Sequence, residues 1–295
     1  MNERKGIVLA GGSGTRLYPV TLAVSKHLLP VYDKPMIYYP ISVLMLAGIR
    51  DIAVITTNSD QNMFERLLGD GSQWGVKFSY IAQDKPEGIA QAYVLTEEFL
   101  AGAPSAMILG DNIFFGHGMP SLLKEATQKE TGCTIFGYHV TDPERYGVIE
   151  FDDKENILSI EEKPKDPKSN YAITGLYFMD AKAPMYAKTV QKSSRGEFEI
   201  VDLLDQYRCE AELSAQKMSR GYAWLDTGTC SSLLDAGNYV RTLTERQGLQ
   251  VGSPDEVAFQ LGYINSEQIL TRSEMFKKNT YGTQLSKLYE ALKIK

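Results

Sequence analysis

Only three histidines, three cysteines and two tryptophans are spread over 295 residues. That scarcity narrows the chemistry at once. Cys133, Cys209 and Cys230 are odd in number, far apart and without metal-ligand spacing, so they read as reduced thiols of a cytoplasmic protein. His27, His117 and His139 pair with no cysteine in a familiar motif, and no Gly-x-Ser-x-Gly elbow occurs, which argues against a nucleophilic triad. No apolar run approaches the roughly 20 residues that a membrane span needs, and Met1-Asn2-Glu3-Arg4-Lys5-Gly6 leads straight into a core strand, so a soluble, unexported protein is expected. Positive charge is also short: 31 Lys and Arg face 37 Asp and Glu, for a net charge of −6. That balance argues against nonspecific binding of nucleic acid or membrane, and any cations a site requires must be concentrated locally. Repeats, low-complexity tracts and flexible linkers are absent too. What remains, 43% hydrophobic and 23% charged, is ordinary globular material sufficient for one extended α/β domain or a domain with an appendage.

The most informative segment lies five residues in. Ile7-Val8-Leu9-Ala10 reads as a buried strand and runs into Gly11-Gly12-Ser13-Gly14-Thr15-Arg16-Leu17, with Ser25-Lys26 beyond. Three glycines let backbone N–H groups crowd an anion without Cβ atoms in the way, and Arg16 and Lys26 add charge, which together describe a phosphate site. Common nucleotide fingerprints do not fit: Leu17 stands where a dinucleotide-binding loop has its third glycine, and no Gly-Lys-Ser/Thr follows.

Further along, Ile52–Ile55, Phe78–Ala82, Ala106–Leu109 and Thr134–Phe136 read as strands, with helices predicted around Ile37–Ala47, Asn62–Leu68 and Ile89–Leu100. Alternation of this kind implies a Rossmann-like, mostly parallel sheet covered by helices on both faces, with ligands at the carboxyl ends of its strands. From about Tyr146 strands come in closer succession (Val148–Phe151, Ile157–Ile160, Ala172–Met179), which suggests an antiparallel extension. Beyond Thr229 the chain becomes mainly helical. Leu233, Leu234, Tyr239, Val240 and Leu243 fall near one helix face, Ser253-Pro254-Asp255-Glu256 places an N-cap serine, a first-turn proline and a capping-box glutamate in order, and Leu285, Leu288, Tyr289 and Leu292 form a last apolar stripe.

Two carboxylates stand out. Asp111 follows the strand ending at Leu109 and should emerge beside the glycine loop; Asp226 lies in Gly221–Thr229, whose glycines and aromatics suggest a tight, substrate-facing loop. Both could serve Mg²⁺, a hard ion that shares oxygen ligands with substrate phosphates. Glu161-Glu162-Lys163-Pro164 ends another predicted strand. Chemistry on phosphates needs no nucleophilic triad, because a phosphate monoester is mostly dianionic at neutral pH.

Taken in order, Gly11–Pro19 with Ser25-Lys26, Leu109–Asn112, Asp142–Val148, Glu161–Pro164, Ser169–Ala172, Arg195-Gly196-Glu197 and Trp224–Thr229 extend over nearly the whole chain. The first block resembles the signature of the sugar-1-phosphate nucleotidyltransferases, and the later ones resemble the bacterial, thymidylyl-transferring branch of that family. The resemblance implies Mg²⁺-dependent transfer of a thymidylyl group from dTTP to α-D-glucose 1-phosphate by in-line single displacement, with pyrophosphate released. It also implies a place at the start of dTDP-L-rhamnose synthesis and a cytoplasmic homotetramer that engages neither nucleic acid nor membrane. The catalytic core would span residues 1–228, with a helical segment over 229–295 packed on it.

Residue by residue, the resemblance gives Leu9, Gly11, Gly12, Gly14, Thr15, Arg16, Lys26, His27, Gln83, Gly88 and Asp111 to the nucleotide, with Gln83 and Gly88 on the base. It gives Asn112, Tyr146, Gly147, Glu162, Lys163, Ile173, Arg195, Glu197 and Trp224 to the sugar phosphate, Asp111 and Asp226 to the metal, and catalytic charge to Arg16, Lys26 and Lys163. Family members commonly carry Gln after the lysine where this chain has His27, so a UTP-using uridylyltransferase stays open as the alternative. Met119-Pro120-Ser121 and Gln260 also depart from the pattern of the family's regulatory nucleotide-sugar site. A non-catalytic sensor on the same fold would be expected to lose the arginine or the metal carboxylates, and Arg16, Lys26, Asp111 and Asp226 are all present.

Overall fold

A computed structural model describes residues 3–248 and 250–293. Its strands are β1 Lys5–Leu9, β2 Pro30–Val31, β3 Lys34–Pro35, β4 Asp51–Thr57, β5 Lys77–Gln83, β6 Ser105–Leu109, β7 Asn112–Gly116, β8 Cys133–His139, β9 Gly147–Phe151, β10 Ile157–Glu162, β11 Tyr171–Met179, β12 Leu213–Met218 and β13 Tyr222–Asp226. Its helices are α1 Tyr38–Leu46, α2 Gln61–Leu68, α3 Gln91–Leu95, α4 Glu97–Leu100, α5 Met119–Gln128, α6 Ala183–Ala187, α7 Ile200–Cys209, α8 Cys230–Gln247, α9 Pro254–Gln260, α10 Ser266–Met275 and α11 Thr280–Lys293.

The alternating apolar runs build a parallel block in the order β6-β1-β4-β5. Beside β6 the sheet turns antiparallel through β11, which also pairs with β9 and β8, while β10 joins β9 and β12 joins β8. The extension expected after Tyr146 is thus continuous with the parallel block, and a mixed, mostly parallel sheet between helices is the fold. Because successive strand residues face opposite ways, Val8 and Ile7 enter different cores. Val8, Ile52 and Val54 pack with α1, α5 and the C-terminal helices through Ile41, Leu44, Leu123, Val257 and Leu285. Ile7, Ile55 and Met107 pack with α3, α6 and α7 through Tyr93, Tyr186, Leu203 and Tyr207. Helix α1 buries every residue from Tyr38 to Met45, because the sheet covers one side and α9 the other.

Four local expectations need correction. Residues 222–226 are not a loop: they form β13, paired antiparallel with β7, a long-range partnership that no local pattern reveals. The helix expected over Ile89–Leu100 is two short helices, α3 and α4, meeting at buried Thr96, whose hydroxyl bonds back to the Ala92 carbonyl at 2.8 Å. On α8, Ala236, Val240, Leu233 and Leu243 face the core with Val31 and Ile113, whereas Leu234 points to solvent, 65% exposed. At the start of α9, the Ser253 hydroxyl accepts the Glu256 N–H at 3.2 Å, but the Glu256 side chain accepts from Gln260 rather than returning to the cap. Leu285 is buried in the main core; the Leu292 side chain lies outside the described residues. All three cysteines are free, and among the described residues no helix is long and apolar enough to cross a membrane.

Candidate active site

Strand ends converge at one edge of the parallel block. Leu9 closes β1 and its carbonyl accepts the Gly110 N–H at 2.9 Å, so Asp111 leaves β6 against the base of the glycine loop. The chain then turns into β7, where Asn112 pairs with Asp226 of β13. Thr227, next in line, donates its N–H and hydroxyl to the Asp111 carbonyl at 3.2 and 2.8 Å. Two carboxylates more than a hundred residues apart in sequence are therefore delivered together by backbone pairing. Asn112 secures the junction. Its Oδ1 accepts from Gly175 N at 3.1 Å and Trp224 Nε1 at 2.6 Å, and its Nδ2 donates to Asp111 at 3.0 Å. Asn112 is only 3% exposed and its amide is spent inside the protein.

A cleft of about 440 Å³ opens over this junction. Among the residues expected at the site, Arg16, Asp111, Asn112, Tyr146, Gly147, Glu162, Lys163, Ile173, Trp224 and Asp226 line it. Lys26 joins through an ion pair with Asp111, and Arg195 through Glu162 at 3.4 Å. Leu9, Gly11, Gly12, Gly14, Thr15, His27, Gln83, Gly88 and Glu197 are not part of this lining. Arg145, Leu109, Ile89, Gly175, Tyr177, Ile200 and Val201 line it without having been expected. Arg145 was legible as part of the Asp142–Val148 block, but its partner Asp226 was not; the apolar wall carries only the signal of ordinary core.

Charge is tightly organised. Burial works against ionisation of Asp111, yet the Lys26 ammonium and the donors around it hold this carboxyl well below the usual range. At Asp226, burial and the nearby Asp111 charge push the pKa up, against Arg145 and Arg16. Arg145 bridges, with Nη1 to Asp142 at 2.6 Å and Nη2 to Asp226 at 3.1 Å. The Arg16 guanidinium lies against Gly228, where a Cβ would meet Nη2 at 2.9 Å, and its charge acts on Asp226. Two converging carboxylates suit a hard cation such as Mg²⁺ that completes its shell with water and phosphate oxygens. Among the described residues no group of three or more His, Cys, Asp and Glu is placed to hold a metal by itself.

At the start of the glycine loop, beside Gly11, the Gln83 and Gln91 amides meet, with the Glu87–Lys192 ion pair behind them. Gln83 ends β5, is 2% exposed, and its Oε1 has no hydrogen-bond partner. A Cβ on Gly11 would stand 2.2 Å from that oxygen. Gly88 is pressed equally closely onto Phe198, whose backbone exchanges hydrogen bonds with Glu87 and Ala90 at 2.7 and 3.1 Å. His27 is placed differently from the expectation of a nucleotide ligand. It is 1% exposed, its ring tucked against Gly110 and its Nδ1 against the Ser25 hydroxyl at 3.1 Å. Burial, then Lys26, lowers its pKa to about 3, so it is a neutral support beneath the loop.

The β10 side is charge-rich and more exposed. Lys163 adopts φ 45° directly after β10 and its ammonium is 3.4 Å from Glu162. Arg195 is gripped by Glu199 at 2.8 Å, Glu197 at 3.1 Å and Glu162. Glu199, which sequence reasoning missed, is 7% exposed and also accepts from Ser193 at 2.7 Å. Burial, with Glu199 beside it, raises the Glu162 pKa despite Lys163 and Arg195.

A parallel-edge phosphate loop, two convergent carboxylates and a ring of cations define a site for joining or splitting phosphate groups, and the chain belongs to the nucleotidyl transferase family, whose model matches residues 5–242. More particularly, it is 56% identical over 288 residues to the glucose-1-phosphate thymidylyltransferase of Xanthomonas campestris pv. campestris strain B100, with 98% of each chain covered. It is 53% identical to the Neisseria gonorrhoeae protein of the same name, covering 95% of this chain and 98% of that one. Among solved structures, a Bacillus anthracis protein in complex with a sucrose is 44% identical, with a TM-score of 0.74 over 81% of this chain and 95% of that one. A UDP-glucose pyrophosphorylase complexed with UDP-glucose is 25% identical, with a TM-score of 0.72 over 82% and 99%.

Proposed function

We propose that this nucleotidyltransferase transfers a thymidylyl group from dTTP to α-D-glucose 1-phosphate, giving dTDP-glucose and pyrophosphate. The observation that carries the reading is the single cleft shared by Arg16, Lys163, Asp111 and Asp226. A triphosphate and a sugar phosphate repel strongly: each unit pair at 4 Å costs about 4 kcal/mol at an effective dielectric of 20. Several such pairs oppose the encounter, and cations arriving from three separate chain segments offset them. Arg16 and Lys26 flank the triphosphate, while Lys163 and Arg195 receive the sugar phosphate. A glucose 1-phosphate oxygen attacks the α-phosphorus in line; the new P–O bond forms as the bond to the β-phosphoryl oxygen breaks, and pyrophosphate leaves with the electron pair. Because the nucleophile is already ionised, no general base is required. Positioning and electrostatic stabilisation do the catalysis.

Asp111 and Asp226 would hold Mg²⁺, which when bound neutralises phosphate charge around the reacting centre. Gln83 and Gly88 would take the base, a reading supported by the buried, unpartnered Gln83 Oε1 beside Gly11 of the loop. Tyr146, Gly147, Glu162, Ile173 and Trp224 would surround the sugar. The thymidylyl reading is favoured over uridylyl transfer by identity near one half to relatives bearing that name, against 25% for the UDP-glucose pyrophosphorylase. A place at the head of dTDP-rhamnose synthesis is the corresponding proposal for its product. The test is pyrophosphate release from a matrix of dTTP, UTP and dCTP with glucose, galactose and mannose 1-phosphates. Turnover highest with dTTP and glucose 1-phosphate is expected; turnover highest with UTP, or none with any pair, would overturn the reading.

A further inference from the structure

The orientation of a glutamine amide is ordinarily ambiguous, since its oxygen and nitrogen differ little in shape. Here a backbone group resolves it. The Glu87 N–H can only donate, and it lies 3.0 Å from the Gln91 carboxamide, so the atom it meets is Gln91 Oε1. That same oxygen is 2.7 Å from the Gln83 amide, which must therefore present its Nε2. Gln83 Oε1 is then forced to the other side, beside Gly11, where it is buried and without a partner. The anchor itself is fixed twice: Phe198 N donates to the Glu87 carbonyl at 2.7 Å, and Lys192 holds the Glu87 carboxylate at 2.6 Å.

We propose that Gln91 is a specificity-determining positioning residue, which locks Gln83 so that a bare carbonyl oxygen faces the nucleotide base. The inference rests on the reading of Gln83 as the base contact. A buried acceptor left unpaired is costly, and a ligand that supplies an N–H relieves it. The imide edge of thymine or uracil carries such an N–H. Cytosine offers a ring-nitrogen acceptor at the same place, and two acceptors repel. Discrimination of this type, where the wrong partner leaves a buried polar group unmatched, is far steeper than what apolar contacts provide. The relay therefore selects imide bases against cytosine, without distinguishing thymine from uracil.

The experiment measures dTTP and dCTP binding by calorimetry, and kcat/KM for each with glucose 1-phosphate, in the wild type, Gln91→Met and Gln91→Glu. Gln91→Met removes the acceptor that orients Gln83, so the amide can rotate and offer its NH₂ to cytosine. The dCTP-to-dTTP ratio should rise by about tenfold or more in both readouts, with kcat at saturating dTTP little changed. Gln91→Glu keeps an oxygen for both donors but sets its other oxygen toward the Glu87 carboxylate, which Gln91 Nε2 meets at 3.5 Å and whose charge Lys192 balances; both nucleotides should bind less tightly while the ratio stays near wild type. The inference is overturned if Gln91→Met weakens dTTP and dCTP by one common factor, if Gln91→Glu loses discrimination as Gln91→Met does, or if the wild type binds dCTP as tightly as dTTP. A wild type that prefers dTTP in binding yet releases no pyrophosphate would support the relay and overturn the functional reading alone.

Discussion

The two ends of the cleft are built on different principles. At the glycine-loop end, main-chain hydrogen bonds set the frame, Leu9 on Gly110, Thr227 on Asp111 and Glu87 on Gln91, and the ion pairs of Lys26 with Asp111 and Arg145 with Asp226 are built on it. At the β10 end, order comes from side-chain ion pairs, with Lys163 on Glu162 and Arg195 shared among three carboxylates. Backbone hydrogen bonds persist when a ligand arrives, whereas ion pairs must exchange partners for phosphate. On the proposed function, the glycine-loop end is preorganised for the nucleotide and the β10 end is charge-balanced in advance, its cations paired with carboxylates that a sugar phosphate would displace.

The largest expected effect probes the rigid end. Arg16→Met removes a cation that lies against Gly228 and acts on Asp226, and kcat should fall about 10²- to 10³-fold in a pyrophosphate-release assay; a loss below tenfold would mean that this end owes its effect to binding alone. Next comes Lys163→Met at the exchangeable end. The KM for glucose 1-phosphate should rise by about tenfold or more, in line with the loss of a charge-assisted hydrogen bond, while dTTP binding by calorimetry stays within twofold (about 0.4 kcal/mol). Equal losses for both substrates would erase the distinction between the ends.

A pH comparison is the third test. The Glu162 pKa is raised, chiefly by burial, so this carboxylate takes up its proton at higher pH than an ordinary glutamate. On acidification from neutrality its grip on the sugar and its pairing with Lys163 and Arg195 are lost early. The KM for glucose 1-phosphate should climb before that for dTTP does, and Glu162→Gln should remove the part of the climb that does not belong to the sugar phosphate itself. The smallest effect is expected for Glu197→Gln. Half exposed and outside the cleft lining, Glu197 holds Arg195 less firmly than Glu199 does, and kcat/KM should change by about twofold or less. Glu199→Gln should cost more.

Much of the rigid end could be read in advance. An apolar run before Gly11-Gly12-Ser13-Gly14 gives both strand and loop, and Ala106–Leu109 places Asp111 at the same edge, because buried parallel strands leave continuous apolar signatures. The β7–β13 ribbon was invisible, since Asn112 and Asp226 meet only through tertiary pairing. The resemblance puts His27 among the nucleotide ligands, at a position where family members carry Gln, whereas the tight turn at Lys26–Leu28 sends its side chain inward. Gln91 lies in the same segment as Gln83 and Gly88, but nothing in the sequence marks it out; its proposed role arises from where the Glu87 N–H points. The ion-pair end was legible as residue types, but the neutralisation of Arg195 by Glu199 depends on the fold of residues 192–199.

The proposed chemistry requires cations from distant segments to act on one phosphorus. A double-mutant cycle of Arg16→Met and Lys163→Met on kcat/KM tests this directly, since groups serving one transition state are strongly non-additive. The double variant is predicted to lose much less than the product of the two single losses. A loss equal to that product would show that the two cations work independently, and would contradict the shared reaction centre.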